Sequence, residues 1–333
     1  MIDLLQSNAS YFSNNMIVVT GGAGFIGSNL IGKLNSHAIT DIIVVDNFGN
    51  HEKDKNLHDC QFLDRIDRTN FFSWLEESPS KPDAIVHLGA RTNTLEQDWS
   101  IFEELNLEYS KKLWTLCSEN AIPFIYASSA AVYGDGKLGF SDDHTVTNTL
   151  RALNPYGRSK LEFDKWVITQ KTTPPKWYGL RFFNVFGPNE QHKGTMASMI
   201  YHAYKQIKKT GAVKLFRSHN PDFKDGEQMR DFVYVDDVVS ICLWLVHHIK
   251  NSGLYNVGSG KARTFLDLTK AIFKNLDAPE KIAFIDTPED IRGKYQYYTE
   301  ANITKLRNIG YVKEFMGLDE GVREYVINFP ERS

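Results

Sequence analysis

A chain of 333 residues, 42% hydrophobic and 24% charged, has the make-up of one large or two closely joined globular units, which excludes a disordered polypeptide. Its net charge of -3 lacks the basic excess with which nucleic-acid binders neutralise phosphates, so no nucleic-acid partner is expected. No apolar run reaches the roughly 18 residues of a membrane span, and Cys60, Cys117 and Cys242 are too scattered for a disulfide framework or zinc site, so the expectations are no membrane partner, no metal and a reducing cytoplasm.

Residues 1–15 carry Asp3 and no Lys or Arg, unlike the basic start of a signal peptide, and read as a loose N-terminal extension. Short β-rich runs then alternate with helix-length segments. The runs 16–20 (MIVVT), 42–46 (IIVVD), 84–88 (AIVHL) and 124–128 (FIYAS) are almost continuously apolar, as parallel strands covered on both faces must be. Later runs at 177–185, 232–235 and 254–257 look similar, and helices are expected over 27–35 and 156–169. This alternation predicts an α/β chain with a Rossmann-type doubly wound parallel sheet. The texture changes after Pro188, where a helix-like stretch leads to a polar loop at 218–228; turns, charges and aromatics dominate after about 283. The expected division is a dinucleotide-binding unit over 16–188 and 231–272, with a smaller, interleaved substrate lobe over 189–230 and 273–333. In that division the run 232–235 brings the chain back to the main sheet.

Between the first strand and its helix lies Thr20-Gly21-Gly22-Ala23-Gly24-Phe25-Ile26-Gly27. Gly21, Gly24 and Gly27 serve a tight turn, close backbone approach to a pyrophosphate, and helix–strand packing. The free N–H groups and positive helix end favour phosphate. Asp46, about twenty residues on at the end of the second strand, can accept hydrogen bonds from a ribose. Asp46 alone favours NAD. Asn47, Lys53 and Arg68 follow it, and a cation there can hold the extra phosphate of NADP; solvated surface charges are an equal reading of Lys53 and Arg68.

Tyr156 and Lys160 lie four apart at the start of a helix and share one face. A phenol with an ordinary pKa near 10 is a poor base at neutral pH, and a neighbouring ammonium is expected to lower it. Ser129 ends a strand and offers a hydroxyl to a carbinol or carbonyl oxygen. Singly, each is commonplace; together with the glycine motif they point to redox chemistry beside a nicotinamide.

TGGAGFIG, VVDN, YASSAAVYG, NPYGRSK and RFFNVFGP resemble the motifs of the extended short-chain dehydrogenases, over nearly the whole chain after Met16. The resemblance implies that Ser129, Tyr156 and Lys160 are the catalytic triad, with Lys160 also on the nicotinamide ribose. It further assigns Phe25, Ile26, Leu88, Gly89, Ala90, Asn106 and Val185 to the cofactor. Dehydratases of that family place an acidic pair after the hydroxyl residue; here Ala130-Ala131 can be neither acid nor base, which favours oxidation and re-reduction over elimination. The segments 181–188 (RFFNVFGP) and 192–198 (HKGTMAS) resemble the branch of nucleotide-sugar epimerases that act on ADP-linked heptose. That branch implies tightly bound, recycled NADP (NAD being the alternative), a homo-oligomer, and a role in supplying heptose to the lipopolysaccharide core. It implies Lys193 as a second acid/base group, and Asn184, Thr195, His202, Phe216, Arg217, Ser218, His219, Arg230 and Tyr295 on the substrate. A guanidinium such as Arg230 suits a diphosphate, whereas His202 alone reads equally as a helix-packing residue. Arg91 and the length of the loop 220–229 depart from the branch's pattern. A UDP-hexose 4-epimerase is the alternative enzyme; a dinucleotide-binding scaffold without turnover is the alternative of another class.

Overall fold

The computed structural model describes residues 16–248, 250–292 and 295–328; the extension expected over 1–15, Gly293 and Lys294 of the Tyr295 segment, and residues 329–333 lie outside the described residues. The described strands, in chain order, are β1 (Ile17–Thr20), β2 (Ile42–Asp46), β3 (Asp64–Asp67), β4 (Ala84–His87), β5 (Phe124–Ser129), β6 (Trp177–Phe182), β7 (Asn184–Phe186), β8 (Val213–Phe216), β9 (Met229–Tyr234), β10 (Gly253–Val257), β11 (Ala262–Thr264) and β12 (Ile282–Ile285). Seven form one sheet in the order β10-β6-β5-β4-β1-β2-β3, and every pairing in it is parallel.

The apolar runs go where their composition sends them. β1 and β4 are buried along their whole length. Helices Phe25–Ser36 and Val235–His247 cover one face, packing Ile31, Val44 and Val239 into a common core. Helices Tyr109–Glu119 and Pro155–Val167 cover the other, around Trp114, Phe124 and Phe163. β3 reads Asp-Arg-Ile-Asp and exposes Asp64 and Arg65, a charged edge that discourages pairing with another chain. Strand order reverses at β1 between β2 and β4, and the crevice outside the carboxyl ends at such a switch point is where ligands bind in open α/β sheets. Thr20, Asp46, His87 and Ser129 all end their strands on that edge.

A second core lies apart from the main sheet. Helices Met199–Thr210, Phe265–Asn275 and Leu318–Ile327 pack Ile200, Phe273 and Val322 against a three-stranded sheet, β11-β9-β7; β8 and β12 form a further parallel pair.

Two expectations need correction. The run 177–185 is two strands, because Phe183 gives its amide to Val257 at the sheet edge and the chain then turns away, so that Asn184 pairs with Phe232. The run 232–235 does not rejoin the main sheet. β9 sits in the small sheet, and the chain returns through helix Val235–His247 and β10, which pairs with β6.

Candidate active site

The carboxyl edge holds a cleft of about 560 Å³. Of the residues expected at a dinucleotide, Gly21, Gly24, Phe25, Ile26, Gly27, Asp46, Asn47, Lys53, Arg68, Leu88, Gly89 and Ala90 line it. The glycines are dictated by contact. A Cβ on Gly27 would lie 2.2 Å from the Gly21 carbonyl oxygen, and one on Gly21, whose φ is +68°, would lie 2.6 Å from the Gly89 amide. The backbone is thus folded as tightly as a pyrophosphate cradle at a helix start requires, so the residues present fit a dinucleotide. Gly27→Ala should force this backbone apart at a cost of about 1–3 kcal/mol; the purified variant should release little or no dinucleotide on denaturation, and a full complement would refute this account of Gly27.

Asp46 accepts the Ala23 amide at 3.0 Å and the Lys53 ammonium at 2.6 Å, so its charge is already matched. Arg68 is set beside it by its own amide, which donates to the Asp46 carbonyl at 2.9 Å.

At the other side of the edge, Asn154 caps helix Pro155–Val167 by accepting the Gly157 amide at 2.8 Å, with Pro155 in the first turn, a favourable start for a helix. Gly157 lets this helix approach the turn after Ser129: a Cβ there would lie 2.9 Å from the Ala131 carbonyl oxygen. The result brings the Tyr156 hydroxyl within hydrogen-bonding reach of Ser129. The expected lowering of the phenol is not found. Burial raises the Tyr156 pKa and the Ser129 hydrogen bond only opposes it, so desolvation decides the direction. Lys160 is buried, and desolvation pushes its ammonium down to about 8 against the attraction of Asp164.

The sequence does not point to His87 as a site residue, and it marks His192 only as part of the 192–198 segment. His87 lines the cleft and hydrogen-bonds with Thr20 Oγ1 at 2.6 Å and Ser110 Oγ at 3.0 Å; burial, helped by the Lys160 charge, pushes it down to about 3. His192, also on the wall, is pushed down to about 4 by burial and by the charges of Lys193 and Lys53. Asn106 does not line the cleft. It is buried in a π-helical turn, Glu103–Glu108, a geometry common at functional sites. Its amide group exchanges hydrogen bonds with the Arg91 backbone and donates to Ser159 Oγ at 2.9 Å, so it braces helix Pro155–Val167 against the loop that carries Arg91. Arg91 lines the cleft and pairs loosely with Glu96 at 3.7 Å.

Lys193 and Thr195 reach the same cleft from the turn Gln191–Met196. The Lys193 ammonium lies 5.2 Å from the centre of the Phe25 ring, and burial lowers its pKa. Val185 and Asn184 precede this turn on β7. Farther into the small lobe, Phe216 meets Tyr295 edge-on. Arg230 lies 5.3 Å from the Tyr295 ring centre and 5.6 Å from that of Phe265. Two of its nitrogens donate to the carbonyls of Met229 and Gln296, leaving less of the fork for a diphosphate than the sequence suggests. Arg217 pairs with Asp225 at 3.2 Å, Ser218 donates its amide to the same carboxylate at 2.8 Å, and the His219 amide donates to Tyr297. His202 packs against Tyr201 on helix Met199–Thr210.

Comparison with known proteins follows the same lines. Residues 17–258 match the NAD dependent epimerase/dehydratase family. A Fusobacterium nucleatum protein named ADP-L-glycero-D-manno-heptose-6-epimerase is 48% identical to this chain, over 94% of it and 98% of its own length. The crystal structure of the Helicobacter pylori protein of that name superposes with a TM-score of 0.80 at 28% identity, covering 96% of this chain and 98% of that one. Thermus thermophilus UDP-glucose 4-epimerase, solved in complex with NAD, gives 0.76 at 25% identity, covering 96% and 100%. The chain therefore belongs to the NAD dependent epimerase/dehydratase family, as an epimerase that works with a nicotinamide dinucleotide.

Proposed function

We propose that this enzyme interconverts the C6 epimers of ADP-glycero-manno-heptose, oxidising the C6 carbinol to a ketone and re-reducing it from the opposite face, as a step in supplying heptose to lipopolysaccharide. The observation that carries the reading is that Lys193 lines a dinucleotide cleft at the carboxyl edge of the sheet where β5 ends in Ser129, the partner of Tyr156, although Ser129, Tyr156 and Lys160 do not themselves line that cleft. Two separated groups can serve the two faces of the ketone, since rotation turns its oxygen toward a different donor. The heptose specificity rests on the similarity to the Fusobacterium and Helicobacter proteins.

When bound, the nicotinamide supplies the hydride acceptor of the oxidation and the hydride donor of the return, and ends unchanged. Gly21, Gly24 and Gly27 would cradle its pyrophosphate and Asp46 its adenosine ribose. Tyr156, as phenolate, takes the C6 hydroxyl proton while Ser129 hydrogen-bonds the same oxygen. Lys160 holds positive charge nearby, which favours the phenolate. After the side chain of the sugar turns, Lys193 donates a proton to the ketone oxygen. Phe216, Arg230 and Tyr295 would contact the substrate, as the resemblance implies. The ordinary test is conversion of ADP-D-glycero-β-D-manno-heptose to its L-glycero epimer without added cofactor; turnover of a UDP-hexose in its place would overturn the choice of substrate.

The cofactor is read as NADP, because Lys53 already neutralises Asp46 and Arg68 stands beside the pair, which leaves the ribose end of the cleft receptive to a phosphate. Denaturing the purified enzyme should release NADP; release of NAD alone would reverse the assignment.

A further inference from the structure

Glu190 is fully buried and has no part in the proton steps above. One carboxylate oxygen accepts the Ser198 hydroxyl at 2.6 Å, the other accepts the Ser198 amide, and Tyr325 of helix Leu318–Ile327 bonds to the same group. Its carbonyl accepts the Lys193 amide at 3.0 Å. The residues just before it are fastened to the other lobe. Asn29, on helix Phe25–Ser36, donates to the Pro188 carbonyl at 2.9 Å. Asn189, held in the left-handed region at φ 72°, donates to Ser28 Oγ at 3.1 Å and accepts from Asn56 at 3.1 Å. Glu190 thus sits where the nucleotide-binding helix, helix Met199–Thr210 and helix Leu318–Ile327 are tied together. From that point one short turn, left-handed at Gly194 with φ 54°, carries Lys193 to the cleft.

Both carboxylate oxygens accept from donors, which the single acceptor oxygen of a glutamine could not match, yet burying the carboxylate still forfeits several kcal/mol of hydration. The charge has a recipient. Burial lowers the Lys193 ammonium, and Glu190 acts in the opposite sense. The other titratable groups around Lys193 and Glu190 are His192, which burial keeps neutral, the Lys53–Asp46 pair beside it, and the phenols of Tyr201 and Tyr325.

We propose that Glu190 is a positioning residue for Lys193: its buried charge locks the turn Gln191–Met196 to both lobes and seats the Lys193 ammonium on the cleft wall. This rests on the reading of Lys193 as the second proton donor, and two variants of the full chain keep the two claims apart. Lys193→Met tests the reading; near-normal turnover in it would remove both the reading and the inference. Glu190→Gln tests the inference through the pH dependence of Lys193 acetylation, followed by competitive labelling and mass spectrometry, which needs no turnover. The midpoint of labelling should move to lower pH by about one unit, equivalent to about tenfold in proton affinity, and kcat should fall about tenfold or more. An unmoved midpoint overturns the proposal whatever happens to kcat. Should Glu190→Gln fail to fold, Glu190→Asp, which keeps the charge but retracts it by one methylene, should move the midpoint in the same direction by less, and no movement there is equally fatal.

Discussion

Tyr156→Phe is expected to lower kcat by about 10²–10⁴-fold, the range for a positioned acid/base group, with little change in substrate affinity or thermal stability. The variant keeps the ring and removes only the hydroxyl that bonds with Ser129. Because desolvation holds the phenol high in the chain alone, the proposed phenolate would need positive charge brought near it, and Lys160, one helical turn on, is the proposed source. The Lys160 ammonium, pushed down to about 8, is present below that pH and lost above it. Turnover by the wild-type enzyme should therefore decline on the alkaline side from about pH 8, and Lys160→Met should behave at neutral pH as the wild type does beyond the limb. A steady-state pH profile checks both; a flat profile to pH 10, or near-normal turnover by Tyr156→Phe, would remove this pair from the proton step.

The largest stability effect is expected from Asp164→Ala, about 3–5 kcal/mol by denaturant titration, the range for breaking a buried ion pair from one side. Asp164 and Arg181 are both without solvent exposure and meet at 2.9 Å. Asp164 also accepts Ser128 Oγ at 2.9 Å and the Tyr126 hydroxyl at 3.1 Å, while Arg181 donates to Tyr133 at 3.0 Å and Thr147 at 3.1 Å. This network joins β5, β6 and the helix of Tyr156 and Lys160. Removing the carboxylate strands a guanidinium in the core. Replacing both partners together, Asp164→Leu with Arg181→Met, removes the stranded charge and should recover much of the loss. If the double variant were no more stable than Asp164→Ala, the hydrogen-bonded hydroxyls rather than the unpaired charge would be the source of the cost.

The parts of this fold legible in the sequence are those whose cause is local. β1, β2, β4 and β5 announce themselves because a strand covered on both faces must be apolar throughout. The glycine motif is legible because only backbone without Cβ fits between Gly21, Gly89 and the first helix turn. β3 escaped because an edge strand of sequence Asp-Arg-Ile-Asp has no apolar run. The break at Phe183 and the placement of β9 escaped because partner choice between two sheets is not encoded in either strand's own pattern. At the site, Tyr156 and Lys160 share a helix and a spacing, so they could be found. His87 is joined to the site only through space, by Thr20 67 positions away, while His192 and Glu190 lie close to Lys193 in the chain but take their partners from packing, Asn56 in the case of His192, and a lone His or Glu in a sequence carries no sign of that.

The pairing of β10 with β6 bears on how the chain assembles. β10 closes the edge of the main sheet beside β6, yet roughly seventy residues separate them, and closing a loop of that length is an entropic debt that falls due before the contact returns anything. Those intervening residues are not slack chain: they contain β7, β9 and helices Met199–Thr210 and Val235–His247. Placing β10 closes a loop that holds only the first half of the small lobe, whose core is completed by the later helices Phe265–Asn275 and Leu318–Ile327, so the last strand of the nucleotide-binding sheet is a late folding event. During synthesis the exposed edge of β6 waits, unpaired, until the ribosome has released residues beyond Val257, and the two lobes mature together instead of one after the other.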